Sequence, residues 1–586
     1  MFTIVESLGY TLFGNVSVFL LKMLKCDVAL TFTNLLGVID LNKTMQRTML
    51  AVSLAAIMAV AACSNGNENT KSDAENKKAT NTTSNATSNT ETVSSEPLNV
   101  TMTLMAGSKT PDSWAEHTLE EELSKAMNRK VDVQPIFLPD WSELNTKINL
   151  MMSAKDTRPN ILWTGDTKEF SKWVEAGIAQ DLTPSLQKYG KDILDYYTQD
   201  TMFYHWDKSG KIFRVPGDVP EASYMTTILR KDWLDNLGLQ EPKTLDEYVN
   251  VLRAFTKDDP DKNGKNDTYG LSGDNYYRSL APFFYAYGID VENFMKQDDG
   301  SIKFGALMPQ VKTVLELLQG LYKEGVLDPR MTTSANNDDG KVNDIFASGK
   351  VGSFYRWVDY FNPGNSTTIS FKKLNPTGQY ISIDPIQGPD GFSSDMPDAQ
   401  IGWCYLIVTD TIDTDSAVQV LDTMAKPEVF KQLAFGKEGE HYTMNKGEFV
   451  PTIQPEEGSK LGLGNFGWIM QRKDAANIKN TPEVTEMFTK KIETSQPMRD
   501  KIVVFKAIDR PEWDKYSADI KKVRDELFWG IITGKTPVSA FDDFEKQYLK
   551  LGGKQIDEEA VSLFNTQQEE RTAYDAWYEA NIVPYK

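Results

Sequence analysis

Residues 64–97 contain almost no large apolar side chain; they are built from Asn, Thr, Ser, Lys and Glu. Such a composition cannot bury enough apolar surface to offset the entropy lost on ordering. The stretch therefore divides the chain, and any sizeable core must come from the residues on one side of it. Upstream, Thr48 to Ala62 is apolar and follows Arg47. That run has the length of the hydrophobic part of an export signal and is short for a permanent membrane-spanning helix. It ends Val60-Ala61-Ala62-Cys63. Downstream, the folded part is expected to begin near Leu98. A chain of 586 residues is too long for one small core and suggests two or three domain-sized units.

The run ending at Cys63 resembles a bacterial lipobox, in which the cysteine is diacylated and becomes the first residue after cleavage. The resemblance implies residues 45–62 as signal peptide, Cys63 as the lipidation site, and an anchor on the extracellular face of the cytoplasmic membrane of a Gram-positive bacterium. Two acyl chains make such anchoring stable where one is marginal. Residues 64–97 would then be a tether, spanning about 30 Å on average as a flexible coil. Residues 1–44 do not fit this plan and read as an upstream extension before the signal's own Met45; Lys22, Lys25 and Asp27 interrupt their apolar stretch.

The formal charge of −20 argues against a nucleic-acid partner, which calls for clustered Lys and Arg. Three cysteines far apart and without a C-x-x-C argue against a disulfide framework or thiolate zinc site, and three histidines make a multi-His metal site implausible unless all three converge.

From Leu98 the pattern is α/β. Residues 98–105 alternate apolar and polar as a strand, Trp114 to Met127 reads as a helix, and Val131 to Phe137 as a second strand. Residues 142–153 are helical, and Pro159 to Trp163 form a third strand. This alternation argues for a βαβ sheet, in which ligands sit beyond the carboxyl ends of the strands. Further on, Lys231 to Gly238 is a short helix stopped by glycine. Thr244-Leu-Asp-Glu247 is a capping box that opens a helix with Tyr248, Val251, Leu252 and Phe255 on one face. Helices are also expected over 311–322, 416–435, 482–494, 513–529 and 540–552.

Pro159-Asn-Ile-Leu-Trp-Thr-Gly-Asp166 followed by Trp173 to Pro184 resembles the family 1 extracellular solute-binding proteins, of which maltose-binding protein is the familiar member. Later segments keep the order: Ile228 to Gly238, Glu241 to Glu247, Phe346 to Gly352, Asp384 to Gly391 and Phe435 to Tyr442. The resemblance covers residues 98–586 and extends to alginate-binding receptors. It implies a two-lobed periplasmic-binding-protein fold (type II) with a hinge, an oligosaccharide in the cleft, an ABC permease as partner and a monomeric receptor. One lobe would hold 98–222 and 383–440, the other 223–382 and 441–586.

Sugar recognition needs aromatic faces and planar polar groups. By the resemblance, Trp163 packs on sugar and Asp166 accepts from a hydroxyl. Trp206, Tyr224, Tyr276, Tyr277, Arg356, Trp357 and Trp403 lie in breaks between elements and complete the candidate set. Trp114, Trp468, Trp529 and His441 rank behind them. Asp259-Pro-Asp261-Lys-Asn263-Gly264-Lys265-Asn-Asp267 matches the first nine positions of an EF-hand loop, with side-chain oxygens from Asp259, Asp261, Asn263 and Asp267 and the Lys265 carbonyl. Hard oxygen donors at this spacing suit a structural Ca²⁺, although position 12 is Gly270 rather than glutamate. The competing readings are a tethered glycoside hydrolase or lyase, which would need a suitably spaced carboxylate pair, and a receptor for peptides or metal chelates. No G-x-S-x-G, H-E-x-x-H or P-loop is present, and no enzyme is expected.

Overall fold

The computed structural model describes residues 96–105, 109–139, 143–165, 169–217, 225–333, 339–397, 404–467, 469–506 and 510–586. The upstream extension, signal, Cys63 and tether lie outside the described residues, as do Asp166, Tyr224, Trp403 and Trp468.

The strands, in chain order, are β1 (Leu98–Leu104), β2 (Val131–Phe137), β3 (Ile161–Thr164), β4 (Val215–Pro216), β5 (Met225–Arg230), β6 (Tyr269–Leu271), β7 (Phe294–Lys296), β8 (Ile302–Phe304), β9 (Val351–Trp357), β10 (Tyr380–Ile383), β11 (Tyr405–Val408), β12 (Tyr442–Asn445) and β13 (Glu448–Pro451). The helices that matter here are α1 (Trp114–Met127), α2 (Leu245–Lys257), α3 (Gln310–Lys323), α4 (Thr414–Met424), α5 (Pro482–Lys501), α6 (Pro511–Ile532) and α7 (Gly553–Asn581).

Two sheets organise the body. The first has the order β2-β1-β3-β11-β4. Leu98, Val100, Met102 and Leu104 of β1 are buried, as the alternation of apolar residues requires. The strand pairs in parallel with β2 across its full length, and α1 is the crossover between them. Ser113 caps α1 by accepting from the Glu116 amide, Leu119 and Leu123 face the core, and Asn128 ends the helix at φ 47°. β11 runs antiparallel to β3, with Leu406 opposite Trp163, and β4 pairs with its other side at the edge of the sheet.

The second sheet has the order β10-β5-β9-β6. Only β6 and β9 run in parallel; β5 is antiparallel to β9, with Met225 opposite Trp357. α2 packs against it through Tyr248, Val251, Leu252 and Phe255. Its expected capping box is present: Thr244 Oγ1 accepts from the Glu247 amide, and the Glu247 carboxylate accepts from the Thr244 amide.

Each sheet has its own core. The first gathers residues of β1, β2, β3 and β11 with α4, and adds Phe466, Ile469 and Met470, the end of α7 through Tyr574 and Tyr578, and Ile582 just after it. The second gathers β5, β6, α2, α3 and α6, and takes Ile556 and Ala560 from the start of α7. One helix thus contributes to both cores. At 29 residues it is about 43 Å long.

Three expectations change. The helix expected over 416–435 is two, α4 and Pro427–Phe435. Lys426 is held extended before Pro427, which has no amide to continue the ladder. The helix expected over 540–552 is a 3₁₀ turn, Val538–Asp543, followed by Phe544–Lys550. α7 itself was not expected, because its apolar side chains leave one core and reach another instead of holding one stripe.

Candidate functional site

The loops that leave β6 and β9 at their shared carboxyl end come together. After β6 the chain turns through Gly273, where a Cβ would lie 2.3 Å from Ser279 Oγ, so only glycine fits the turn. The turn buries Asp274 completely. Its Oδ1 accepts from Ser279 Oγ at 2.7 Å and from the Tyr276 amide at 3.2 Å. Its Oδ2 faces Arg278 Nη2 at 3.3 Å and Arg356 Nη2 at 3.4 Å. Arg356 comes from β9 and is itself fully buried. The Arg278 guanidinium lies over the rings of both Tyr276 and Trp357, 5.4 Å from each centroid. Asn275, Tyr276, Arg278 and Trp357 are all half-buried, so the layer has one side toward solvent.

Tyr276 and Tyr277 are neighbours in sequence but turn opposite ways. Tyr277 enters the second core, nearly parallel to Trp529, with its hydroxyl donating to Asp525 at 3.0 Å. Trp529 also donates from Nε1 to the Asn275 carbonyl at 3.0 Å, which ties α6 to the turn. Arg524 lies 4.8 Å over the Tyr277 ring and pairs with Glu292 at 3.3 Å. Burial pushes the Glu292 carboxyl above the ordinary carboxylate range, with Arg524 pulling the other way. Burial also raises the Tyr276 phenol, and Glu292 beside it adds to the effect.

Of the expected site residues, Tyr276, Arg356 and Trp357 therefore meet around Asp274, and Tyr277 stands behind them as packing. Trp163 and Trp206 belong to the other core. Trp163 is completely buried on β3, and its amide donates to Thr103 Oγ1 at 2.7 Å. Trp206 is 5% exposed and packs on Tyr574 and Trp577 of α7. Trp114 packs edge-on to His441, away from the layer. Sequence reasoning missed Asp274, Asn275 and Arg278; the Gly273-Asp274-Asn275 turn directly after a strand was the signal that could have found them.

The acidic loop after α2 has the tight geometry expected of it. Asp259, Lys262 and Gly264 have φ of 46°, 53° and 74°. The Asp259 carboxylate accepts from the amides of Asn263 and Gly264, both at 3.0 Å. Asn263 Nδ2 donates to Asp261 at 2.8 Å and to Asp267 at 3.1 Å, and its Oδ1 accepts from the Lys265 amide. Lys350 Nζ stands 3.0 Å from both Asp261 and Asp267. The Asn263 amide, then Lys350, hold the Asp267 carboxyl below its usual value. Among the described residues, no three His, Cys, Asp or Glu side chains converge to hold a metal. One atom does fit a cation: Asp261 Oδ1 is buried and has no hydrogen-bond partner.

A model of the bacterial extracellular solute-binding protein family matches residues 107–429. The chain belongs to that family. The polygalacturonan/rhamnogalacturonan-binding protein YtcQ of Bacillus subtilis is 25% identical to this solute-binding protein over 469 residues, covering 76% of this chain and 87% of the relative. Among solved structures, the alginate-binding protein AlgQ2 without calcium ion superposes with a TM-score of 0.59 at 17% identity, covering 81% of this chain and 99% of the other. The ABC-transporter substrate-binding protein FusA of Streptococcus pneumoniae, in complex with kestose, gives 0.59 at 17%, covering 81% and 100%. The two sheets with separate cores are the two-lobed α/β fold of these proteins. Among the described residues, no helix is long and apolar enough to cross a membrane.

Proposed function

We propose that this solute-binding protein captures an oligosaccharide between its lobes and delivers it to an ABC permease, and that it is a receptor rather than an enzyme. The observation that carries the reading is the layer of Tyr276, Arg278 and Trp357 at the carboxyl ends of β6 and β9. Partly exposed rings offer faces for the C–H side of a sugar, and Asn275 and Arg278 bring planar donors and acceptors for its hydroxyls, with Arg356 behind them holding Asp274 in place. A relative named for polygalacturonan and rhamnogalacturonan binding, a fold neighbour named for alginate and another solved in complex with kestose support a carbohydrate ligand. Asp166, Tyr224 and Trp403, which lie outside the described residues, are proposed as further ligand contacts. Trp163 and Trp206 support the first lobe's contribution from within its core.

The lobes are proposed near the expected boundaries, 98–222 with 383–440 and 223–382 with 441–586, except that Ile383 and Ile386 pack in the second core and Phe466, Ile469, Met470 and the end of α7 in the first. Cys63 is the proposed lipid anchor, which holds a monomeric receptor on the outer face of the membrane. The loop of Asp259, Asp261, Asn263, Lys265 and Asp267 is proposed to hold a structural Ca²⁺ once Lys350 withdraws. Bound there, the ion would neutralise carboxylates that the lysine otherwise balances. Adding excess calcium to chelator-treated protein should raise the melting temperature; an unchanged melting temperature rules the ion out.

The function is tested by thermal shift of the full chain against oligogalacturonides, alginate oligosaccharides and fructooligosaccharides. A bound sugar raises the melting temperature by mass action and is recovered intact. Tyr276→Ala and Trp357→Ala should abolish the shift in folded protein, and Trp357→Ala should also lower the unliganded melting temperature because the ring packs against the second core. Cleavage of the sugar would establish an enzyme instead, and no response to any sugar from folded protein would overturn the carbohydrate reading.

A further inference from the structure

Residues 502–506 run along the seam between the two cores. Ile502 and Val503 belong to the second core, and Val504 packs against both. The Val503 amide donates to the Phe294 carbonyl at 2.8 Å, which joins the segment to β7. On its other side lies the middle of α7, between the turns that serve one core and the turns that serve the other. Here the Gln567 side chain grips the backbone with both ends. Its Oε1 accepts from the Lys506 amide at 3.0 Å, and its Nε2 donates to the Val504 carbonyl at 3.0 Å. One helical turn on, Glu570 pairs with Lys506 Nζ at 2.6 Å. The Lys506 ammonium lies over Phe203 and Trp206 of the first lobe, 5.0 and 4.4 Å from their centroids. Beside this fastening is a crevice of about 140 Å³. Its walls come from the first lobe (Phe203, Tyr204), the second (Lys296, Ile502) and α7 (Gln568, Arg571).

A side-chain amide that completes two backbone hydrogen bonds substitutes for a neighbouring strand and sets the distance between helix and segment. Interiors are close-packed and do not deform smoothly, so relative movement concentrates where packing is incomplete. Both conditions meet at this point of the seam. We propose that Gln567 is a positioning residue for solute capture: it fixes segment 502–506 to the centre of α7, and the two lobes turn about that fastening while the adjoining crevice changes volume. Lys506 and Glu570 keep the polar end of the pivot paired as Phe203 and Trp206 slide over the ammonium. The inference rests on the reading of the protein as a receptor whose lobes close.

The test uses pulsed electron-spin distance measurements without any sugar, so a failure of the carbohydrate reading does not decide it. Spin labels are placed by Glu121→Cys on α1 and Lys373→Cys in the second lobe, in the full chain with its native cysteines replaced by alanine. Two hydrogen bonds of ordinary net strength hold arrangements in which the segment parts from α7 about tenfold to a hundredfold below the fastened ones. Gln567→Ala should therefore raise the population of minor distances by about tenfold or more. Gln567→Glu, which can accept from Lys506 but cannot donate to Val504, should fall between. Gln568→Trp, which fills the crevice, should displace the main distance and gives an independent reading where the alanine variant fails to fold. Distance distributions of the folded variants that superpose on the parent's would overturn the proposal.

Discussion

Lys491→Met would place a charge in the protein's interior without its counter-ion. Lys491 on α5 and Asp395, in the segment after β10, are 2% and 1% exposed and meet at 2.9 Å. The ammonium also donates to the Ile383 carbonyl at 3.2 Å, and Thr494 Oγ1 donates to the same Asp395 oxygen at 2.6 Å. The other oxygen, Asp395 Oδ1, is buried without a partner. Burial already pushes the Asp395 carboxyl above its ordinary value, and Lys491 is what opposes that rise. Methionine is close in volume and apolar, so packing survives and the main loss is electrostatic. Breaking a buried pair from one side costs about 3–5 kcal/mol. The sign with pH follows from the raised value. A carboxyl whose folded pKa exceeds its unfolded value of about 3.9 destabilises the fold above that folded pKa, and the cost shrinks as pH falls. Removing Lys491 raises the folded value further, so the deficit should be largest at neutral pH and should shrink toward mild acid. Adding Asp395→Asn should recover most of it. The assay is urea unfolding followed by tryptophan fluorescence across this pH range. A deficit below about 1 kcal/mol, or one that stays constant with pH, would refute the electrostatic account.

Asp422 on α4 is pushed up to about 6, chiefly by burial, while the Ile193 amide donates to it at 3.0 Å. Its carboxylate form therefore costs stability above that pH, and the cost is relieved as pH falls through it. Asp422→Asn should stabilise by about 1–2 kcal/mol at pH 7.5, after allowance for partial solvent screening, and the gain should vanish below about pH 4 in the same unfolding assay. Gly305→Ala would set a Cβ 1.8 Å from the Asp290 carbonyl oxygen, so a backbone shift is unavoidable. The expected loss is about 1–3 kcal/mol, and an unfolding midpoint equal to the parent's would contradict it. Thr244→Ala removes one half of the capping box on α2 and should cost about 1 kcal/mol, with Thr244→Ser recovering it.

Much of the local architecture was legible because its causes are local. The alternation in β1, the crossover α1, the capping box at Thr244 and the stop at Gly238 each depend on a few consecutive residues. The break before Pro427 was equally local and went unread, since the apolar periodicity on either side masked it. The candidate site was legible in part. Tyr276 and Trp357 stand out for their aromatic character and an expected place in breaks between elements, although Arg356 and Trp357 prove to end strand β9 instead. Nothing in the run Asn275-Tyr276-Tyr277-Arg278 says which tyrosine faces solvent. That choice is made by the stacking of Tyr277 on Trp529, more than two hundred residues away in sequence.

By itself, then, the sequence determined the α/β class, the order of its first elements and membership of the solute-binding family, since patterns of two and three-and-a-half residues and the order of short motifs are properties of the chain. Tertiary structure decided what those patterns meet. It set Arg278 between Tyr276 and Trp357, put the Lys350 ammonium between the carboxylates of the acidic loop, and carried α7 from one core to the other. The physical reason is range. Hydrogen-bond ladders and caps act over a few residues, whereas burial and ion pairing depend on which distant side chains share a volume, and that volume exists only once the sheets have assembled.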